Sequence, residues 1–205
     1  MRAERKEREF NFRRAAILEQ AEKIFSAKGY YNVTMAEIAE ASGFAIGSLY
    51  QFFESKEDLY SSMILEKFDL MSAAIRQEVN KAKDIVGKIE ALITAQLQFV
   101  EKNADFCRIF LRGQSDALSE TMTTLNQKII DGYFDNVMFI ENILKAGIKS
   151  GILRKVPTHD AASALFHLNR SVTIEWLLKP TKESLVCKKD FILDIFFNGV
   201  KNYEQ

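Results

Sequence analysis

The chain has 205 residues, 47% of them hydrophobic, and its 28 Lys and Arg residues balance its 28 Asp and Glu residues. This length and apolar content suit one or two domains with a packed core, while the balanced charge excludes a global positive field as the source of affinity for nucleic acid. No apolar run is long enough to cross a bilayer and the charged N-terminus lacks the apolar segment of a signal peptide, so we expect a cytoplasmic protein without membrane contact.

Motifs for catalysis and metal binding are missing from the sequence. It has no phosphate-binding glycine loop, no nucleophile motif and no paired histidines, so we do not expect an enzyme. Cys107 and Cys187 lie far apart, without the spacing of a metal motif or a disulfide framework. We therefore expect ordinary buried thiols, no metal and no cofactor; the sequence leaves a redox role for either cysteine open.

Apolar residues recur at the helical period almost throughout the chain, and strand-like alternation is absent. The sequence therefore predicts an all-α fold of about nine helices. The first spans roughly residues 8–28 and ends at Gly29. A cluster of cations, interleaved with three glutamates, lies within the first 14 residues. Either a solvated extension of the helix or a contact with DNA phosphates or the minor groove explains it: Arg2, Arg5, Lys6, Arg8, Arg13 and Arg14.

The next segment, residues 34–53, predicts two short helices joined by a tight turn. Thr34 and Glu37 have the spacing of a capping box, and Gly43 supplies the positive φ that ends the first of these helices. The second begins near Ala45. Two capped helices around a glycine turn are typical of a helix-turn-helix, which places its second helix in the DNA major groove.

A long fourth helix is expected to begin at Ser55, a suitable N-cap, and to run beyond Val79. Because it begins beside the helix-turn-helix and ends in the C-terminal body, we expect it to link the two mechanically. Further helical patterns cover about residues 85–102, 104–112, 121–150, 158–179 and 182–203.

The last two helices carry apolar residues around most of their circumference. In the final one, Asp190, Asp194, Asn198 and Lys201 form a single polar stripe. Since a surface helix of a monomer needs only one apolar face, the pattern predicts burial against both the parent core and a second copy. A helix sunk in a large core is the alternative.

The helix-turn-helix segment resembles the tetracycline-repressor (TetR/AcrR) family. The positions that carry the resemblance are Thr34-x-x-x-Ile38-Ala39-x-x-x-Gly43 and Gly47-Ser48-Leu49-Tyr50-x-x-Phe53-x-Ser55-Lys56-Glu57-x-Leu59. It implies a DNA-binding domain over residues 11–71, formed by a three-helix head, and an effector-binding and dimerisation domain over residues 72–205. It also implies a homodimer through the last two helices, about residues 158–203, and a palindromic double-stranded operator.

By the same resemblance, the DNA contacts come from one short stretch and two flanking residues: Thr34, Ala45, Ile46, Gly47, Ser48, Tyr50, Gln51 and Lys56. No charged side chain occurs between Gly43 and Phe53, so the second helix lacks the Arg or Lys that reads guanine. We expect Ala45 and Ile46 to contact thymine methyls and Gln51 an adenine edge, although Ile46 packing internally and Gln51 facing solvent is the alternative. Leu49 and Phe53 are predicted to be core.

The resemblance further implies a small-molecule effector bound in the C-terminal body, which would release a repressor from DNA. Bulky apolar residues in that region favour an apolar effector, with a few polar groups to orient it. The candidates for this site are Gln96, Phe99, Phe110, Phe134, Met138, Phe166 and Asn169. A DNA-binding regulator controlled by a protein partner, without a small-molecule effector, is the alternative function.

Overall fold

The structure is a computed structural model that describes residues 2–115 and 120–200. Within those ranges the chain is all-α, with nine α-helices, one short 3-10 helix and no β-strand. The helices are α1 (Arg2–Lys28), α2 (Met35–Ser42), α3 (Ile46–Leu49), α4 (Lys56–Lys81), α5 (Ile85–Lys102), α6 (Ala104–Ser115), α7 (Glu120–Lys149), α8 (Thr158–Leu178) and α9 (Lys189–Val200), with the 3-10 helix at Leu185–Lys188 between the last two. None of these helices combines the length and the apolar character needed to cross a membrane.

Two predicted helix boundaries were wrong. The first helix begins at Arg2 rather than near Arg8, because Arg, Glu, Lys and Ala sustain a helix without an apolar stripe. The predicted helix over residues 182–203 is interrupted: Ser184 caps a 3-10 turn by accepting a hydrogen bond from the Val186 amide, and α9 begins only at Lys189. The last three residues of that prediction lie outside the described residues.

Internal contacts divide the chain into two units. The first comprises residues 1–67 and 105–127, and the second comprises residues 68–104 and 128–205. The boundaries between units fall inside α4, after the first residue of α6 and inside α7, so α4 and α7 each contribute to both units.

The first unit is held together by a core shared between α1, α2, α3 and the start of α4. Its fully buried side chains include Ile17 and Phe25 of α1, Ile38 of α2 and Leu59 of α4. The Phe25 ring meets the Tyr60 ring edge-on, with 5.5 Å between centroids. This core holds α2 and α3 in a fixed relation to the supporting helices.

The second unit packs α5 against α8, α9 and the 3-10 helix. Ile93 and Leu97 of α5, Leu165 of α8 and Ile192 of α9 have no exposed surface. Lys189 at the start of α9 donates to Glu90 of α5 at 2.7 Å. The second unit therefore has its own core.

Candidate functional site

The capping box predicted at α2 is confirmed. The Glu37 amide donates to Thr34 Oγ1 at 3.3 Å, and the Thr34 amide donates to Glu37 Oε2 at 2.8 Å. Lys28 Nζ donates to Glu37 Oε1 at 2.6 Å. These bonds, with the one from Lys28 foremost, lower the pKa of the Glu37 carboxyl to about 2. At the other end of α2, Gly43 has a φ of 73° and its amide bonds back to the helix.

Helix α3 is shorter than predicted but presents the expected face. It spans four residues, Ile46–Leu49, and continues as a tight turn because the amides of Gln51 and Phe52 bond three residues back, to Ser48 and Leu49. Leu49 and Phe53 are buried, as predicted for core residues.

The remaining α3 residues form one exposed, uncharged surface. Ile46 is 46% exposed and Tyr50 is 53% exposed. Ala45, Gly47 and Gln51 are also exposed, and Ser48 is half-buried. We call this surface, residues 45–51, the α3 face. It brings six predicted DNA contacts together, and exposed Thr34 lies at the N-terminus of the preceding helix.

Lys56 occupies a position that the sequence did not predict. Its ammonium donates to the Tyr30 carbonyl at 3.1 Å and to the Val33 carbonyl at 2.9 Å, and it lies 4.4 Å from the centre of the Tyr30 ring. The Tyr30 hydroxyl donates to Glu57 at 2.8 Å, and burial raises the Tyr30 pKa above its ordinary value. Lys56 thus ties the α1–α2 loop to the start of α4. No local sequence signal reports this contact, since the partners lie 26 and 23 residues away.

The predicted effector residues lie on four helices and are divided between the two units. Gln96 and Phe99 lie on α5, and Phe166 and Asn169 on α8, all in the second unit. Phe110 belongs to the first unit. Two further candidates, Phe134 and Met138, lie on α7 and are more than half exposed.

Asn169 and Gln96 are joined by a hydrogen bond. Asn169 is fully buried and donates through Nδ2 to Gln96 Oε1 at 2.9 Å. Asn169 Oδ1 and the hydroxyl of Thr173, one turn later on α8, are buried, and neither has a hydrogen-bond partner among the described residues. Buried polar atoms nearly always have a hydrogen-bond partner, so the Asn169 oxygen and the Thr173 hydroxyl are suited to bind the polar group of a ligand. Thr173 was not among the predicted effector residues, because a threonine in a helical pattern usually bonds within its own helix.

Helices α8 and α9 combine a buried side with exposed apolar residues. On α9, Ile192 and Phe196 are buried, while Phe191 and Ile195 are 54% and 50% exposed. Leu178, at the end of α8, is exposed as well. The second unit therefore leaves a row of large apolar side chains on its surface at the two helices predicted to dimerise.

The two cysteines are unpaired thiols. Burial raises the pKa of the Cys107 thiol to about 11. Because the thiolate is the reactive form, Cys107 is a poor nucleophile at neutral pH. Cys187 is exposed, contrary to the expectation that both are buried.

Two family models together match residues 17–199. The model described as "Bacterial regulatory proteins, tetR family" matches residues 17–63, and the one described as "YsiA-like protein, C-terminal region" matches residues 64–199, more than half of the chain.

Similar proteins are regulators of transcription. A fatty acid metabolism regulator protein of Bacillus subtilis (strain 168) is 21% identical over 187 residues, which cover 91% of this chain and 94% of that protein. The HTH-type transcriptional repressor KstR2 of Rhodococcus jostii (strain RHA1) is 24% identical over 164 residues, 80% of this chain and 79% of the repressor. The crystal structure of FadR from Bacillus subtilis in complex with stearoyl-CoA shares the fold, with a TM-score of 0.79, 20% identity and coverage of 90% and 98% of the two chains. The chain belongs to the tetR family of bacterial regulatory proteins and is a DNA-binding transcriptional regulator.

Proposed function

We propose that this regulator is a cytoplasmic repressor that binds a palindromic operator as a homodimer and is released by an effector carrying a long acyl chain. Residues 11–71 are the DNA-binding domain and residues 72–205 bind the effector and form the dimer. The observation that carries the DNA-binding part is the α3 face, which is exposed and uncharged beside a buried supporting core.

The α3 face has the chemistry to read A·T base pairs. Ala45 and Ile46 offer apolar contact to thymine methyls, and the Gln51 amide matches the donor and acceptor of an adenine edge. Tyr50 and Ser48 carry hydroxyls for phosphate oxygens, and Thr34 lies beside the amides of the first turn of α2. Lys56 keeps at most one of its three N–H donors for a phosphate, because two are used on the Tyr30 and Val33 carbonyls.

The dimer is proposed to form through α8 and α9, about residues 158–203. The exposed apolar row on these helices supports this pairing, and the two-fold symmetry of a dimer matches the two half-sites of a palindrome.

The acyl effector is supported by the relatives and by the interior of the second unit. The Bacillus subtilis relative regulates fatty acid metabolism, and the similar FadR structure holds stearoyl-CoA. In this chain Asn169 Oδ1 and the Thr173 hydroxyl are buried on α8 without a partner among the described residues, and Asn169 bonds to Gln96 of α5, a helix with several buried leucines and isoleucines. A long apolar chain suits such surroundings, and the Thr173 hydroxyl is free to donate to an acyl carbonyl.

Release of DNA by acyl thioesters tests the proposal. A duplex selected from a random pool is labelled, and its fluorescence anisotropy is followed during titration with stearoyl-CoA, with butyryl-CoA and with coenzyme A. We expect stearoyl-CoA alone to release the duplex, because the ligand must favour the DNA-free conformation through contacts with its chain. Equal and undiminished DNA binding with all three would support the alternative, a regulator controlled by a protein partner.

Thr173→Val separates an effector contact from a structural role. Valine keeps the shape and removes a buried hydroxyl without a partner, so the free energy of unfolding of the free protein is expected to rise by about 1 kcal/mol. Affinity for stearoyl-CoA is expected to fall about fivefold, the loss of one hydrogen bond of ~1 kcal/mol. Denaturant unfolding and isothermal titration calorimetry measure the two effects.

The matched control is Thr94→Val on α5. Its hydroxyl already donates to the Glu90 carbonyl at 2.7 Å, so its removal is expected to leave effector affinity unchanged. A Thr173→Val variant that is less stable and retains full affinity would contradict the contact.

A further inference from the structure

Helix α1 extends well ahead of the part of the chain that matches the tetR family. The helix begins at Arg2, whereas the family match begins at residue 17. We call residues 2–16 the α1 extension; at 3.6 residues per turn it is about four turns long. Arg5, Lys6 and Arg8 on this extension are exposed, and among the described residues none of the three has an ion-pair partner.

The other cations of the first unit whose side chains the structure describes have interaction partners. Arg112 is one of these engaged cations. The remaining cations and their partners are Arg13 with Glu9, Arg14 with Glu66, Lys23 with Glu19, Lys28 with Glu37, Lys67 with Glu22, Arg108 with Asp105, and Lys56 with two backbone carbonyls. At these seven cations a phosphate would compete with the carboxylate or the carbonyls that the cation already contacts. The α1 extension therefore carries the available positive charge of this unit.

Aromatic contacts hold the extension against the end of the α3 face. The ring of Phe10 lies 4.6 Å from the ring of Phe52, which directly follows Gln51. One turn further along α1, the guanidinium of Arg14 lies 5.1 Å from the centre of the Phe53 ring. Lys6 precedes Phe10 by one helical turn and so lies on the same side of α1.

Arg5 and Arg8 occupy a different side of the extension. They share it with Phe12, at i, i+3 and i+7, and Phe12 is 76% exposed. The three cations are thus spread around the helix within two turns, on the same extension whose Phe10 contacts Phe52. With this arrangement, a helix that lies along the sugar-phosphate backbone can contact phosphates with cations on more than one of its sides.

We propose that Arg5, Lys6 and Arg8 bind the phosphates that flank each half-site and supply most of the electrostatic affinity for duplex DNA. The proposal rests on the proposed DNA reading by the α3 face. Because that face has no charge, it releases no counterions, and the salt dependence of binding must come from elsewhere in the unit. The α1 extension positions the regulator on the duplex, and the α3 face selects the sequence.

The test compares salt dependence and sequence preference in one experiment. Affinities for a selected duplex and for an unrelated duplex are measured by anisotropy across a range of salt concentrations. For Arg5→Gln/Lys6→Gln/Arg8→Gln the slope of log K against log salt is expected to flatten by about 3 per subunit, at about 0.9 per phosphate contact. Affinity is expected to fall by a similar factor for both duplexes, so that the ratio of the two affinities is retained. Glutamine preserves helix propensity, and circular dichroism checks the helix.

Two further variants make the result decisive. Lys149→Gln/Lys179→Gln/Lys182→Gln removes the same charge from exposed positions of the second unit and is expected to leave the slope unchanged. Lys6→Gln alone is expected to flatten it by about 1 per subunit.

An unchanged slope in the α1 triple variant would overturn the proposal, as would an equal change in the second-unit control. The proposal would also be contradicted if the α1 triple variant kept the wild-type salt slope but no longer preferred the selected duplex. A wild-type protein that does not distinguish the two duplexes would instead refute the proposed DNA reading, so the two failures are separable.

Discussion

Replacing Lys56 with alanine is expected to destabilise the first unit by about 2–4 kcal/mol, and not only to weaken DNA binding. The ammonium donates to the Tyr30 and Val33 carbonyls and lies over the Tyr30 ring. Hydrogen bonds from a charged donor contribute about 1.5–3 kcal/mol each and a cation–π contact about 0.5–2 kcal/mol. Solvent around the partly exposed lysine reduces their sum. Chemical denaturation measures the loss of stability, and anisotropy well below the melting temperature measures DNA affinity.

Lys23→Ala is the matched control for Lys56. Lys23 lies on α1 of the same unit and pairs only with Glu19, at 2.8 Å, where both side chains are largely exposed. An exposed ion pair of this kind is worth at most about 0.5 kcal/mol, so this variant is expected to unfold like the wild type. If Lys56→Ala also unfolded like the wild type and lost affinity for all duplexes equally, Lys56 would be a phosphate contact and not a structural tie.

Ile195→Asp is expected to convert the protein to monomers at micromolar concentration. Ile195 is half exposed on α9, in line with Phe191 one turn earlier, and both are proposed to be buried in the dimer. A carboxylate without a partner in an apolar interface costs several kcal/mol, so the dimer dissociation constant should rise at least 100-fold. Sedimentation velocity measures it. Affinity for the operator should fall as the dimer dissociates, because each subunit then binds its half-site alone.

Two controls locate the interface. Val86→Asp changes a comparably exposed apolar residue at the start of α5 and is expected to leave the dimer intact. Met138→Asp tests α7, where Ile130, Phe134 and Met138 form a second exposed apolar row at intervals of four residues. Monomers from Met138→Asp and dimers from Ile195→Asp would assign the interface to α7 and refute the α8–α9 pairing.

The fold was predictable because its signals are local. Capping boxes and apolar stripes depend on residues three or four apart, so Thr34, Glu37 and Gly43 defined α2 before any tertiary contact was known. The buried positions of Leu49 and Phe53 followed from the same periodicity. Residues 2–7 at the start of α1 lay outside the predicted helix because they extend it by intrinsic propensity, without an apolar stripe.

The parts of the site that depend on distant residues were not predictable. The role of Lys56 requires carbonyls 23 and 26 residues away, and the Asn169–Gln96 bond joins residues 73 apart. A buried hydroxyl such as that of Thr173 is indistinguishable in sequence from a threonine bonded within its own helix, as Thr94 is. The exposure of Phe134 and Met138 likewise depends on how α7 packs in its unit.

Sequence-selective binding by the α3 face is tested most directly with Tyr50→Ala and Gln51→Ala. The duplex selected by the wild type is expected to contain A·T pairs at the contacted positions and to bind two subunits. Gln51→Ala should reduce the preference at one base pair in each half-site by about 1–3 kcal/mol, while Tyr50→Ala should weaken binding to all duplexes without changing that preference. Unchanged affinity and unchanged preference in both variants would show that DNA is bound elsewhere on the protein.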